Sequence, residues 1–178
     1  MKKILAIVLT VCMLLSLVGC GKKAYKAKAA EFSSDGITIT LTKAFKEKIY
    51  EGYTVCYDSK DVAVFILKES YSLNENYKDM TVERYAYSVR NAISDKKPTQ
   101  VTRKDGLVYM EYEFNNEGSG TVFKYFAAMY KGVDAFWLVQ FACDTEAYSE
   151  YFPYFVQWAK TVNVSNNASK DGDQREQV

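Results

Sequence analysis

Two consecutive segments, 121–130 and 135–143, carry bulky apolar side chains on both of their alternating faces. In the second, Trp137, Val139 and Phe141 point one way while Phe136, Leu138 and Ala142 point the other. An antiparallel strand usually leaves one face to water. These two need cover on both sides, so the fold has to supply two covering layers. Two amphipathic segments are available. Val82, Tyr85, Ala86, Val89 and Ile93 recur at helical spacing, with Thr81 or Asp79 placed to cap the start. Glu83, Arg84, Tyr87, Arg90 and Asn91 fill the other side of that helix. Tyr148, Tyr151, Phe152, Phe155, Trp158, Ala159 and Val162 form the stripe of a second helix, starting near Asp144 or Thr145. Pro153 interrupts that stripe, which predicts an irregular first turn before the regular helix.

The remaining strand signals fall around these elements. Asp35-Gly36 opens the alternating run 37–42, and 53–57 and 62–67 read as a hairpin across the polar turn 58–61. Asp105-Gly106 is a two-residue hairpin signal between 99–104 and 107–114. A longer Gly- and Asn-rich turn, 115–120, and Lys131-Gly132 complete the meander. The economical arrangement is α+β: an antiparallel sheet of about six or seven strands sandwiched between two helices, in one domain over 31–163. A cystatin-like sheet with a single helical face is the other arrangement open to this pattern. A chain of 178 residues, 48% of them hydrophobic, is large enough for one such core.

The N-terminus is organised differently. Lys2 and Lys3 precede an apolar run over 4–18, which is shorter than the ~20 residues a membrane-spanning helix needs. A positive start, a short apolar run and small residues make up a secretory signal. Leu17-Val18-Gly19-Cys20 resembles the lipobox of bacterial lipoproteins. The resemblance implies a signal peptide over 1–19, attachment of a diacylglyceryl group with acyl chains such as palmitate to the Cys20 thiol, and cleavage before Cys20. Two acyl chains give stable anchoring where one is marginal. The expectation is an extracytoplasmic protein anchored to the cell membrane through Cys20. Lys22, Lys23, Lys26 and Lys28 then lie on a tether over 20–30 that suits either an anionic lipid surface or plain solvation. The tail 164–178 is polar and expected to be disordered. The formal net charge of +1 hides a basic stem beside a body with an acidic excess, so nucleic-acid binding is not expected.

The chain has no histidine, which removes Ser-His-Asp and Cys-His nucleophile systems and His-ligated metals. Of the four cysteines, Cys12 lies in the signal and Cys20 carries the lipid, leaving Cys56 and Cys143. These are either a disulfide or buried thiols; they cannot form a usual zinc site, and no metal or cofactor is expected. Glu111 and Glu113 share one face of one strand, whereas a glycosidase needs carboxylates on opposite sides of the scissile bond. They read as a solvated sheet face. Asp58 and Asp61 bracket a turn without the dense oxygen loop of a calcium site. Gly118-Ser119-Gly120 lacks the Lys-Ser/Thr and helix of a phosphate loop. Among 15 Tyr and 10 Phe, Tyr87, Tyr109, Tyr125 and Tyr130 are candidates for an exposed binding surface, although core is the commoner role.

The element order, together with a hydrophobic strand, polar cap, aromatic run, Pro153 and Trp-bearing stripe over 135–162, resembles the PsbP-like fold family. That family includes an extrinsic photosystem II subunit, a Ran-binding nuclear import factor and small bacterial lipoproteins. The resemblance implies an α/β/α sandwich and a binding role towards a protein or small ligand, with no catalytic motif to carry over. The functional expectation is a membrane-tethered binding module for an envelope protein or small ligand and not an enzyme. The alternatives are an accessory or assembly subunit of an envelope complex, or a hydrolase that works without histidine.

Overall fold

A computed structural model of the chain describes residues 23–164 except 117 and 119. The signal peptide 1–19, the lipobox cysteine Cys20 and all but the first residue of the tail 164–178 lie outside these residues. The strands are β1 (Ala29–Ser34), β2 (Ile37–Thr42), β3 (Lys46–Lys48), β4 (Val55–Asp58), β5 (Ala63–Ser70), β6 (Thr102–Lys104), β7 (Leu107–Asn116), β8 (Thr121–Lys131), β9 (Ala135–Asp144) and β10 (Asn163–Val164). The helices are α1 (Val82–Ala92) and α2 (Tyr148–Ala159).

The larger sheet has seven strands in the order β3-β4-β5-β9-β8-β7-β6, with every neighbouring pair antiparallel. β9 lies at its centre, and all its residues but Asp144 are buried. The two-sided pattern of 135–143 is therefore explained by position. Asp105 and Gly106, at φ +54° and +83°, make the tight β6–β7 turn that left-handed residues favour. Both edge strands are three residues long and rich in cations: Lys46-Glu47-Lys48 at one side, Thr102-Arg103-Lys104 at the other.

The covering layers differ from a simple two-helix sandwich. α1 covers one face, where Tyr85 stacks on Phe136 with ring centroids 4.3 Å apart and planes within 3°. Thr81 caps this helix by accepting from Arg84 N at 3.3 Å. The other face is covered by α2 together with a second, three-stranded sheet in the order β1-β2-β10. Ile37, Ile39 and Leu41 of β2 are buried there beside Phe141, Phe155 and Trp158. The expected sandwich between two helices is thus corrected to a helix on one side and a helix plus a small sheet on the other.

Two local readings also change. The described part of the expected tether is folded onto the body: Ala24 is buried, 24–26 form a 3-10 turn and β1 begins at Ala29. The tail's first residue, Val164, pairs with Ile37. A 3-10 turn over 145–147 precedes α2, which then runs straight through Pro153. Pro153 cannot donate to the Ser149 carbonyl, but position 153 faces water, which can take that carbonyl.

Cys56 and Cys143 are both free and about 1% exposed. Cys56 belongs to the core under α1 and Cys143 to the core under α2, so the sheet itself separates the two sulfurs. Burial pushes both thiols up to about 12. The native protein should therefore react with a thiol reagent at these positions only after denaturation, at least ~100-fold faster once unfolded. Mass spectrometry of the alkylated protein checks this, and rapid labelling of either cysteine before unfolding would contradict the packing.

Candidate functional site

β5 separates two structurally distinct ends of the larger sheet. Its eight residues span about 25 Å. At one end sits the β4–β5 turn, onto which the N-terminal stem is pinned. Ala24 N donates to Asp61 Oδ1 at 3.3 Å, Thr42 Oγ1 donates to the Ala24 carbonyl at 2.7 Å, and the Tyr151 hydroxyl donates to Asp61 Oδ2. Tyr25 stacks on Tyr154 at 4.2 Å, its hydroxyl reaches Glu150, and Lys23 pairs with Glu150 at 3.3 Å. The stem is held by packing as well as by charge.

The other end is built from the segment 71–81 after β5, the β8–β9 turn and the start of α1. Ser70 and Asn74 each turn the chain by accepting from the backbone N–H two residues on, at 3.3 and 3.0 Å. Tyr71 ties this segment to the neighbouring turn: its N–H donates to the Asp134 carbonyl at 2.8 Å and its hydroxyl to the Gly132 carbonyl at 2.7 Å. A Cβ at position 132 would meet the Ala135 carbonyl at 3.2 Å and Trp137 Nε1 at 3.3 Å, so glycine lets the turn sit close to β9 without displacing either by a few tenths of an ångström. Lys131 Nζ donates to the carbonyls of Lys78 and Met80 at 3.0 and 2.9 Å, fixing the entry to α1.

These contacts hold two apolar side chains out in solvent. Leu73 is 66% exposed and Val133 62%. A depression of about 440 Å³ in the same segment and the start of α1 is lined by Asn76, Asp79, Met80 and Arg84. Tyr87, 47% exposed, follows Arg84 one turn further along α1. Met, Arg and Tyr flanked by exposed aliphatic groups is the composition of interface centres. The depression brings together a single carboxylate, Asp79, so the carboxylate pair of a hydrolase is not assembled there.

The other residues singled out in the sequence lie elsewhere. Glu111 and Glu113 share the α2 face of β7; Glu111 pairs with Lys124 at 3.5 Å and Glu113 is exposed. Asp58 accepts from the Tyr50 hydroxyl at 3.1 Å, and burial raises its pKa against the opposing effect of that bond. Tyr125 is buried and stacks on Tyr112 at 4.7 Å. Tyr109 and Tyr130 are half-buried, and Tyr130 donates to the Ala159 carbonyl at 2.8 Å. Of the four tyrosine candidates only Tyr87 reaches the surface described above. Gly118 and Gly120 lie in the β7–β8 turn, which leads into strand β8 and not into a helix; Ser119 lies outside the described residues. Among the described residues no group of three or more acidic or cysteine side chains is placed to hold a metal ion, and no helix is long and apolar enough to cross a membrane.

Two buried polar groups stand out under α1. Gln140, 1% exposed, accepts from the Tyr112 hydroxyl. Glu69, 6% exposed, faces Tyr85; burial raises its pKa, and the Tyr85 hydroxyl partly offsets that rise. They lie on different rows of the sheet, opposite Phe65 and Phe136 respectively, and form no common site.

Comparison with known proteins bears on the fold. No protein-family model and no curated protein matches the chain. Among solved structures, the solution structure of cyanobacterial PsbP (CyanoP) from Synechocystis sp. PCC 6803 superimposes with a TM-score of 0.53 at 13% identity. The match covers 83% of this chain and 98% of that one. A crystal structure from Bacteroides thetaiotaomicron gives a TM-score of 0.49 at 12% identity, covering 79% of this chain and 50% of that one. The first similarity shows a PsbP-like fold.

Proposed function

We propose that the protein is an extracytoplasmic lipoprotein, tethered through Cys20, that binds a protein partner with the end of its sheet carrying Leu73 and Val133. The observation that carries this reading is polarity. The chain leaves the membrane-directed N-terminus at the β4–β5 end, while Leu73 and Val133, two of the most exposed apolar side chains, sit together at the opposite end. A tethered binding module needs that separation. The open depression and the two projecting aliphatic groups suit a macromolecular surface better than an enclosed small ligand. An assembly subunit of an envelope complex would use the same surface in the same orientation.

The test is site-specific photocrosslinking of the full-length chain in its own cells. A photoreactive residue at Leu73 or Val133 should give one discrete adduct, the same from both positions. A probe at exposed Gln157 should not give it. The adduct should fall at least ~tenfold when Met80→Glu and Arg84→Glu are introduced together, as loss of interface anchors predicts. Equal yields from positions 73, 133 and 157 would sink the assignment.

A further inference from the structure

We infer that the β4–β5 end of the domain lies directly on an anionic phospholipid surface, so that the body is held in a fixed orientation and does not swing on its lipid anchor. This deepens the tethering reading and rests on it for which end meets the bilayer. Five exposed lysines from separate segments converge at this end: Lys26 and Lys28 of the stem, Lys43 after β2, Lys46 of β3 and Lys60 of the β4–β5 turn. The backbone brings them together. Lys43 N donates to the Lys28 carbonyl at 2.8 Å, Lys46 pairs with Asp58 across the ladder, and Asp61 beside Lys60 holds Ala24.

Among the described residues none of the five has an acidic side chain within ion-pair distance. The acids nearest to them are engaged: Asp61 accepts from Ala24 and Tyr151, Asp58 accepts from Tyr50, and Glu150 pairs with Lys23 and accepts from Tyr25. Glu47 alternates to the opposite side of β3 from Lys46. The result is a surface on which exposed ammonium groups outnumber the neighbouring carboxylates Asp58, Asp61 and Glu150.

The occupant follows from where the chain goes next. Residue 23 is part of this surface, and the segment before it carries the 4–18 apolar run and Cys20. An anchor at Cys20 leaves only Gly21 and Lys22 between it and Lys23, a reach of about 10 Å at full extension. That is too short for the domain to stand clear of the headgroups. Lysines this close to an anionic surface are attracted within a Debye length, about 8 Å at physiological salt.

The experiment uses the full chain reconstituted into vesicles of phosphatidylcholine alone or with phosphatidylglycerol, followed by lysine acylation and mass spectrometry. Lys26, Lys28, Lys43, Lys46 and Lys60 should be modified about fivefold more slowly on the phosphatidylglycerol vesicles. Lys78 and Lys104, exposed at the far end, should react equally on both. The difference should vanish in 0.5 M salt and in the Lys43→Glu/Lys46→Glu/Lys60→Glu variant. Equal rates on the two vesicle types, or slowing at Lys78 and Lys104 as well, would overturn the oriented contact even if the protein still floats with both. Failure to float with either would overturn the tether too.

Discussion

Phe141→Ala is expected to destabilise the protein by about 3–5 kcal/mol, the range for truncating a fully buried aromatic group. Phe141 is 0% exposed and lies at the crossing of three rings: Phe155 at 5.4 Å, Phe126 at 6.1 Å and Trp158 at 6.2 Å. It belongs to the central strand, with α2 above it, so neither neighbour can close the gap without moving the sheet. Against a typical total of about 5–15 kcal/mol, a loss of this size leaves a marginal protein. Equilibrium urea unfolding measures it. Phe136→Ala, on the other face of the same strand, is expected to cost a similar amount. The double variant should be additive within ~0.5 kcal/mol, since the sheet separates the two sites. A cost below ~1 kcal/mol for either single change would mean that its covering layer is not packed as described.

Asp61→Ala is expected to act locally as well as globally. It removes the acceptor for the Tyr151 hydroxyl and one of the two acceptors of Ala24 N–H, the other being the Tyr151 oxygen at 3.3 Å, at a predicted cost of about 2–3 kcal/mol for hydrogen bonds to a charged group. The larger effect should fall on the stem. Without that acceptor, 23–28 should detach in a low-energy opening, and trypsin should cut after Lys23, Lys26 or Lys28 at least ~tenfold faster. Asp61→Asn keeps an acceptor oxygen and should fall between the two. A time course read by mass spectrometry distinguishes stem release from global unfolding, because release leaves the body after 28 intact. Unchanged cleavage in Asp61→Ala would show that Thr42, Glu150 and the Tyr25–Tyr154 stack hold the stem without Asp61.

Much of the larger sheet was legible because its signals are local. Asp105-Gly106 demands left-handed backbone, Thr81 precedes a clean helical stripe, and apolar groups on both sides of 135–143 require a central strand. Of the small sheet only β2 was legible, from its alternating run over 37–42. β1 reads Ala-Ala-Glu-Phe-Ser-Ser, with no strong alternation, and becomes a strand only because β2 offers it a long-range ladder. β10 is two residues long and exists through its pairing with β2. The stem reads as a tether because its lysines dominate the composition, while the single buried Ala24 and the Tyr25 stack that fix it leave no periodic trace.

The candidate surface was harder still. Leu73 and Val133 lie in turns, where an apolar residue has no partner spacing to betray its role. Only Val133, an aliphatic residue at the tip of a Gly-Val-Asp turn, offered a hint. The tyrosines drew attention by number, yet the sheet absorbed most of them into its two cores. Arg84 and Tyr87 were correctly placed on the outer side of α1, but nothing in their spacing linked them to 71–81.

The short, cationic edges of the larger sheet have a consequence for crowding. A strand edge with unpaired N–H and C=O groups is a template on which another copy can add, and molecules confined to a surface meet each other far more often than molecules in bulk. Here the outermost strand at each border is only three residues long, and each carries at least two positive side chains. Like charges would face each other in any edge-to-edge encounter, so the sheet should stop at seven strands however densely the molecules are arrayed.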